Sequence, residues 1–322
     1  MNGRTPALTP ARRLGLLLAL AVLCIGIFMT WGVEGDWAFA LRHRGTKLVA
    51  LLLVAYAVAV STVLFQTLTH NRILTPSVMG FDALYVLIQT ALVFGLGLER
   101  LGTVDLRLKF VAEVLLMSGL ACLLFRWLFS GALRSLHLTL LVGIVFGILF
   151  RSLTSFMVRL IDPNEFLVLQ DRLFASFNLV AVDLLSVAAL AVAGVSAVLW
   201  RMRHLFDALA LGRDMAINLG IDHARVTLRL LVLIAALVSV STALVGPVTF
   251  LGLLVANLAY HLMRSDRHQR VLPAAVLLGV VFLVGGQVVL EQLFGFNTAL
   301  SVVIEFFGGL MFIALLMRRV AR

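Results

Sequence analysis

Residues 48–68 read LVALLLVAYAVAVSTVLFQTL, an apolar run without a charged residue. A helix needs roughly 20 apolar residues to cross the hydrocarbon core of a bilayer, which is about 30 Å thick. Similar runs recur along the whole chain, separated by short polar segments. They are continuous rather than alternating, which favours helices over the strands of a membrane barrel. The sequence therefore predicts an all-α integral membrane protein.

The composition agrees with this prediction. Of the 322 residues, 62% are hydrophobic and 13% are charged, and the mean hydropathy is +1.08. One soluble core cannot bury so much apolar surface, and no stretch remains for a separate soluble domain. We therefore predict a single transmembrane domain, residues 1–322, with about ten spans. The predicted spans are residues 14–32, 48–68, 77–98, 108–129, 136–158, 179–200, 228–246, 248–263, 272–290 and 298–317.

The distribution of basic residues predicts the orientation. Ten spans place both termini on one side, and that side receives most of the 26 Lys and Arg residues. The positive-inside rule then predicts that both termini are cytoplasmic. The net charge of +10 is spread along membrane edges rather than gathered on one face, so nucleic-acid binding is not expected. The first run resembles a secretory signal but lacks a small-residue cleavage site, which predicts a retained first helix.

Two connections are long enough to carry a function. The outer one, about residues 159–178, contains a turn at Asp162–Glu165 followed by a short amphipathic helix over Phe166–Phe177. The inner one, about residues 201–225, is predicted to form two short helices, because Gly212 and Gly220 permit the turns that end them.

Within the inner connection, Leu211, Met215 and Leu219 form an apolar stripe at four-residue spacing, beside Arg213 and Asp214. The stripe packs either under the helix bundle itself or against a cytoplasmic partner. A compact connection of this length is uncommon without a function, which favours docking of a partner.

Several catalytic motifs are absent from the sequence. A Walker loop requires Gly-Lys followed by Ser or Thr, but the two lysines, Lys47 and Lys109, do not follow glycine. The seven histidines form no His-Glu-x-x-His pair, and no Gly-x-Ser-x-Gly elbow occurs. Cys24 and Cys122 lie inside apolar runs, as small hydrophobic residues do. We predict no enzyme activity, no metal site and no cofactor bound by this chain.

Four carboxylates lie within the predicted spans, where charge is costly unless it faces the bundle interior or water. Asp82 and Asp183 fall near span starts, where a carboxylate favours the positive end of a helix. We expect structural roles for both. Glu113 and Glu305 lie deeper, and the sequence leaves open whether they pair structurally or relay protons.

Three ordered motifs carry a resemblance to a known family. The first comprises Arg44-Gly45-Thr46-Lys47, Gln66 and the stretch Asn71–Gly80. The second is Ala210–Ile221, and the third is Val245–Leu253, which contains the pattern Gly-Pro-x-x-Phe-x-Gly. In order and spacing these motifs resemble the iron-chelate, FecCD-type permeases of type II ABC importers, over most of the chain.

The resemblance implies a ten-helix permease in the bacterial inner membrane. Such a subunit pairs with a second permease and binds cytoplasmic ABC ATPase subunits, which use ATP and magnesium. It receives a ferric siderophore from a periplasmic or lipoprotein binding protein. The separate ATPase would explain the missing Walker loop.

The resemblance also assigns site residues. Docking of the binding protein would fall to Arg42, Arg44 and Lys47 on the first outer loop, where basic residues run against the positive-inside trend. The alternative is that these side chains only anchor a helix at the headgroups. The remaining assignments are ATPase coupling by Leu211, Gly212, Arg213, Asp214, Met215, Asn218, Leu219 and Gly220, and a cytoplasmic gate at Asn71, Ile73, Ser135 and Leu136. The fifth span, Leu136–Val158, would line much of the pathway.

The sequence departs from the family pattern at two places. Ala256-Asn257 stands where many members have Pro-His, and Gly295–Thr298 replaces an Arg-x-Pro-x stretch, so a second basic docking point is not evident. The sequence of Asn71–Gln89 is similar to that of a branch of the family associated with catecholate or carboxylate siderophores. The operons of this branch often encode two different permeases. A heterodimer is therefore preferred, with a homodimer as the alternative.

Other functions stay open at this point. Within the ABC importers, cobalamin or haem could replace the siderophore. A cation-coupled secondary carrier is the rival class, although the coupling-type connection argues against it. A membrane enzyme would need convergent polar groups within the bundle, and the sequence shows none.

Overall fold

The computed structural model of the chain describes residues 9–33, 35–130, 136–173, 175–178, 180–293, 295 and 299–320. These residues form helices and turns, without a strand among them. The helices are α1 (Pro10–Thr30), α2 (Trp37–Thr69), α3 (Phe81–Thr103), α4 (Leu106–Ser130), α5 (Leu136–Val158), α6 (Pro163–Leu173), α7 (Val182–Leu209), α8 (Arg213–Asn218), α9 (His223–Val245), α10 (Thr249–Met263), α11 (His268–Gln292) and α12 (Leu300–Val320).

The all-α prediction is confirmed. Within the described residues, seven helices contain a stretch long and apolar enough to cross a membrane, namely α1, α2, α3, α5, α7, α9 and α11. Helix α10 is apolar but has 15 residues. The predicted outer amphipathic helix is present as α6, which starts at Pro163 rather than at Phe166.

Acidic caps set several helix starts. The carboxylate of Asp36 accepts the N–H groups of Ala38 (2.8 Å) and Phe39 (3.4 Å), so α2 begins at Trp37 and not at residue 48. Asp105 and Asp222 cap α4 and α9 in the same way. Because α2 begins early, the basic residues expected on the first outer loop lie on its first turns instead.

The centre of the bundle is formed by α2, α9 and α11. In the most apolar stretches of α2 and α9, 67% of the residues are buried, against 17% in α1 and α5. Central helices are buried on all sides, whereas peripheral ones present a face to lipid or to another subunit. Helices α1 and α5 are peripheral by this measure.

Side-chain contacts define two ends of the bundle. At one end, which we call the Arg13 end, Arg13 Nη1 donates to the carbonyl of Leu262 at 2.5 Å. At the other, the Trp31 end, the carbonyl of Trp31 accepts from Arg44 (2.7 Å) and Gln292 (3.4 Å). Helix α1 therefore runs between the two ends, and these contacts are with α10 at the Arg13 end and with α2 and α11 at the Trp31 end.

The segment between α2 and α3 folds back into the bundle. Helix α2 ends at His70 in a left-handed conformation, and a 3-10 turn over Pro76–Met79 leads to Gly80, whose φ is 90°. A Cβ at Gly80 would lie 2.8 Å from the Cα of Gly147 on α5. The turn thus contacts the α5 backbone directly, and only glycine fits at this point.

Helices α9 and α10 are separated by a short irregular break at Gly246–Val248. Gly246 has a φ of 94°, and its N–H donates to the carbonyl of Thr242 at 2.8 Å. The carbonyl of Val245 accepts the N–H of Ser176 at 2.9 Å. The Gly-Pro of the third motif therefore ends one helix while its last carbonyls keep hydrogen-bond partners.

Candidate functional site

The inner connection forms one short helix rather than the two that were predicted. Helix α7 continues to Leu209, beyond its predicted end, and α8 stands alone between Gly212 (φ 99°) and Gly220 (φ 80°). Ala216 anchors α8, since its side chain is buried and its carbonyl accepts the N–H of Ile221 at 3.0 Å. The buried side chain of Ala216 and this backbone hydrogen bond therefore hold α8 in place.

The apolar stripe of the inner connection is exposed. The side chains of Leu211, Met215 and Leu219 are 64%, 59% and 62% exposed. A segment packed under its own bundle would bury these residues. An exposed apolar stripe beside charged residues is instead typical of a protein interaction surface.

A buried histidine at the start of α11 contacts both α7, just before α8, and α2. His268, the first residue of α11, contacts the carboxylate of Asp207 in the last turn of α7 through its backbone N–H (2.9 Å) and its Nδ1 (2.7 Å). Its Nε2 lies 2.7 Å from the hydroxyl of Thr67 near the end of α2. We call Asp207, His268 and Thr67 the inner joint. It ties α2, α7 and α11 together next to α8.

Arg72 lies between the predicted gate residues Asn71 and Ile73, and we call residues 71–73 the gate segment. Contacts of Arg72 hold this segment in place. Its guanidinium pairs with Asp266 in the α10–α11 connection and lies 4.4 Å from the ring centre of Tyr260. Its carbonyl accepts the amide groups of Gln66 (2.7 Å) and Asn257 (2.8 Å). The Asn257 that departs from the family pattern therefore has a structural task here, because it satisfies a carbonyl of the gate segment.

The structure places two of the four predicted gate residues in this segment. The side-chain oxygen of Asn71 accepts the N–H of Ile73 at 2.9 Å, and the Ile73 side chain is exposed. Leu136 is the first residue of α5, and Ser135 lies outside the described residues. Nothing in the sequence alone selects Arg72, Asp207 or His268, since Asp266, His268 and Asp207, with which they pair, lie far away from them along the chain.

The inner joint, the gate segment and the coupling segment border one polar cavity of about 910 Å³. Its lining includes Thr67, Arg72, Asp207, Leu211, Leu219 and His268. Leu211 and Leu219, which are expected to couple, therefore share this cavity with Arg72, which lies between the predicted gate residues Asn71 and Ile73.

The three predicted docking residues do not form one surface cluster. Arg42 is exposed. Arg44 donates from Nη1 to the carbonyls of Phe28 (2.6 Å) and Trp31 (2.7 Å), and so caps the end of α1. Lys47 is 8% exposed, with its Nζ 3.5 Å from Glu291 Oε1. This corrects the expectation of a basic outer loop: Lys47 points into the bundle, where a lysine requires a partner.

The carboxylates within the predicted spans are dispersed. Glu113 pairs with Lys109 on the same helix at 3.7 Å, and Asp183 pairs with Arg107 at 2.5 Å. Asp82 lies beside Ser77 and Thr249 at the α3 start, and Glu305 is exposed on α12. In the part of the chain that the structure describes, His, Cys, Asp and Glu nowhere form a group of three that could hold a metal ion.

A bundle of helices long and apolar enough to cross a membrane, with a short helix exposed at one end, is typical of a membrane transport subunit. The chain belongs to the FecCD transport family, whose model matches residues 16–318. This confirms the resemblance that the three motifs indicated.

Two curated relatives and one solved structure are similar over nearly the full length. The petrobactin import system permease protein YclO of Bacillus subtilis is 46% identical over 95% of this chain and 97% of its own length. The petrobactin import system permease protein FatC of Bacillus anthracis is 32% identical over 96% and 90%. A metal-chelate type ABC transporter solved in an inward-facing conformation has a TM-score of 0.83 at 21% identity, covering 96% of this chain and 99% of that one. The type II permease fold is thus shared with a solved transporter.

The buried pair of Lys47 and Glu291 yields a stability prediction. Lys47→Met leaves Glu291 buried without its cation, which should lower the free energy of unfolding by about 3–5 kcal/mol. Adding Glu291→Gln removes the unpaired charge and keeps an acceptor for Gln287, which donates to Glu291 at 2.9 Å. The double variant should therefore recover much of the loss. Thermal unfolding in detergent measures both effects.

The matched control is Arg107→Met, which breaks a pair whose side chains are 57% and 67% exposed. Solvent-exposed pairs contribute little, so this variant should unfold close to the parent. Equal losses for Lys47→Met and Arg107→Met would contradict the buried position of Lys47.

Proposed function

We propose that this chain is the permease subunit of an ATP-driven importer that moves an iron(III)-siderophore complex across the bacterial inner membrane. The observation that carries the proposal is the exposed apolar stripe of Leu211, Met215 and Leu219 along and beside α8, next to an inner joint that reaches α2 and α11. A family match over residues 16–318 supports it. In this proposal the chain is one transmembrane domain with ten crossings, and the Arg13 end, with both termini, is cytoplasmic.

The cargo is proposed from the relatives. Two of them, at 46% and 32% identity, are petrobactin import permeases by name. We therefore assign a ferric siderophore of the petrobactin class to this chain, ahead of cobalamin or haem. Iron would stay inside its chelator during passage, so the permease need supply no metal ligand and no cofactor.

ATP hydrolysis is assigned to a partner chain. The proposed contact surface is the segment Leu211–Gly220, with Leu211, Met215 and Leu219 as apolar anchors and Arg213, Asp214 and Asn218 around them. Partner movement at α8 would reach α7 directly, and then α2 and α11 through Asp207, His268 and Thr67. The gate residues proposed at the same end are Asn71, Ile73, Ser135 and Leu136.

A second permease subunit is proposed to cover α5. One face of this helix carries exposed apolar side chains, namely Leu141, Val145, Ile148, Leu149 and Phe156. Their spacing places them on one side of the helix, opposite the glycines that contact Met79 and Gly80. The pathway would run along this face, between two permeases. A heterodimer is preferred to a homodimer.

Docking of the external binding protein is proposed at Arg42, with Arg44 beside it on the same helix. Arg42 is exposed at the Trp31 end and can meet an acidic side chain of a partner. Arg44 retains the carbonyl contacts described above. Lys47 is buried and would act indirectly. Its ion pair with Glu291 would hold the first turns of α2 against α11.

Transport in proteoliposomes tests the proposed function. Vesicles would contain this chain with a second permease and the ATPase subunits, together with a soluble binding protein. We expect accumulation of ferric petrobactin that requires hydrolysable ATP and survives an uncoupler, with cyanocobalamin and haem as comparison cargoes. Uptake by this chain alone, driven by an ion gradient, would instead establish a secondary carrier.

Charged substitutions in α8 test the coupling surface. Met215→Asp with Leu219→Asp would place two carboxylates in an apolar contact, which should weaken ATPase binding by at least about 3 kcal/mol. Co-purification of the ATPase with the permease measures this. His204→Asp, at an exposed position of α7, adds the same kind of charge outside the stripe and should leave co-purification intact. Retention of the ATPase by the double variant would exclude α8 as the contact.

Charge reversal at Arg42 tests docking at the opposite end. Arg42→Glu should raise the Kd for the binding protein about fivefold, corresponding to about 1 kcal/mol for an exposed pair, and weaken the salt dependence of binding. Surface plasmon resonance on nanodiscs gives both quantities. Arg201→Glu, a reversal on α7 near the cytoplasmic end, is the control and should not change the Kd. An unchanged Kd for Arg42→Glu would remove this residue from the docking surface.

A further inference from the structure

A groove of about 330 Å³ lies between α1 and the end of α10. Helix α1 contacts α10 where Arg13 donates to the carbonyl of Leu262. Beyond this contact the groove wall on α1 consists of Leu16, Leu17 and Leu20. Leu16 and Leu20 are exposed, so the wall is apolar and accessible from the side of the bundle.

The rim of this groove is basic. It carries Arg13, His261 and Arg264, and Arg264 is the exposed residue that ends α10 in a left-handed conformation. Among the described residues, no carboxylate lies within 4.0 Å of these three side chains. The nearby Asp266 pairs with Arg72 instead.

We propose that this groove binds an anionic phospholipid, with the headgroup phosphate at Arg13 and Arg264 and an acyl chain along Leu16 and Leu20. A guanidinium matches a phosphate through paired N–H donors. Basic pockets between transmembrane helices on the cytoplasmic side suit anionic headgroups. The apolar wall directly beneath the basic rim distinguishes a lipid from a free anion, which would use the rim alone.

Little of helix α1 is buried by the rest of the chain, and a bound lipid would add to its packing contacts. Of its apolar stretch, 17% is buried, so much of its contact area must come from the bilayer. A phospholipid in the groove would bridge α1 to the last turn of α10. That turn also carries Tyr260, on which Arg72 rests. The bound lipid would thereby stabilise the helix end that supports the gate segment.

Lipid-dependent thermal unfolding of the purified full chain tests the proposal. Phosphatidylglycerol in mixed micelles should raise the unfolding midpoint more than phosphatidylcholine does, because phosphatidylglycerol carries an uncompensated negative charge. Arg13→Gln with Arg264→Gln should abolish the difference and raise the Kd for phosphatidylglycerol about tenfold or more. Arg201→Gln removes an exposed arginine that does not border the groove, and should keep the difference.

Three outcomes would overturn the lipid assignment. These are equal shifts for the two lipids in the parent chain, a full phosphatidylglycerol shift in the double variant, and the same shift with inorganic phosphate alone. The last would indicate a site for free anions.

A measurement on the parent chain keeps the proposal testable if the double variant does not fold. Native mass spectrometry after reconstitution in an equal mixture of phosphatidylglycerol and phosphatidylethanolamine should show phosphatidylglycerol enriched among the retained lipids. Retention of the two lipids in equal amounts would contradict the groove as an anionic lipid site.

Discussion

In the hydrocarbon core of a membrane there is no water to complete a broken hydrogen bond, so a helix bundle that crosses it must satisfy its backbone groups within the chain. Where α9 ends, the carbonyl of Val245 receives the N–H of Ser176 from a distant connection. Where the chain folds back after α2, the carbonyl of Arg72 receives two side-chain amides, from Gln66 and Asn257. Breaks in helices are therefore found where other parts of the chain supply donors. Each break is also a point at which α2 or its neighbours are tied to a second element.

The Arg13 end combines two kinds of contact with different consequences. The inner joint is directional, because the buried imidazole of His268 contacts both the half-exposed Asp207 and the buried Thr67. The stripe of Leu211, Met215 and Leu219 is exposed and apolar. A protein partner could therefore cover it without breaking a contact inside the chain. In the proposed function, a force applied to α8 would reach α2 and α11 through these contacts, since only a few residues connect α8 to Asp207.

The sequence predicted the elements well and their side-chain neighbours poorly. The apolar runs located the helices, and the motifs located α8 and the break at Gly246. The predicted start of α2 was wrong because Arg44 and Lys47 were taken as residues of a solvent-exposed loop. Arg44 instead satisfies carbonyls of α1, and Lys47 pairs with Glu291, a residue from the other end of the sequence. Such pairs depend on the tertiary fold, so neither hydropathy nor spacing can identify them. The same holds for His268, which the sequence shows only as one of seven histidines.

The direct contact between Gly80 and Gly147 has a mechanical consequence. Side chains usually separate neighbouring segments and can absorb a small displacement by changing rotamer. Here a Cβ on either residue would meet the other backbone at about 3 Å, as distances of 2.8 Å and 3.1 Å to the opposing Cα show. A tilt of α5 toward the turn at Pro76–Met79 would therefore press backbone against backbone, with no side chain between them to absorb it. Two parts of the chain that are far apart in sequence are in direct mechanical contact at this point.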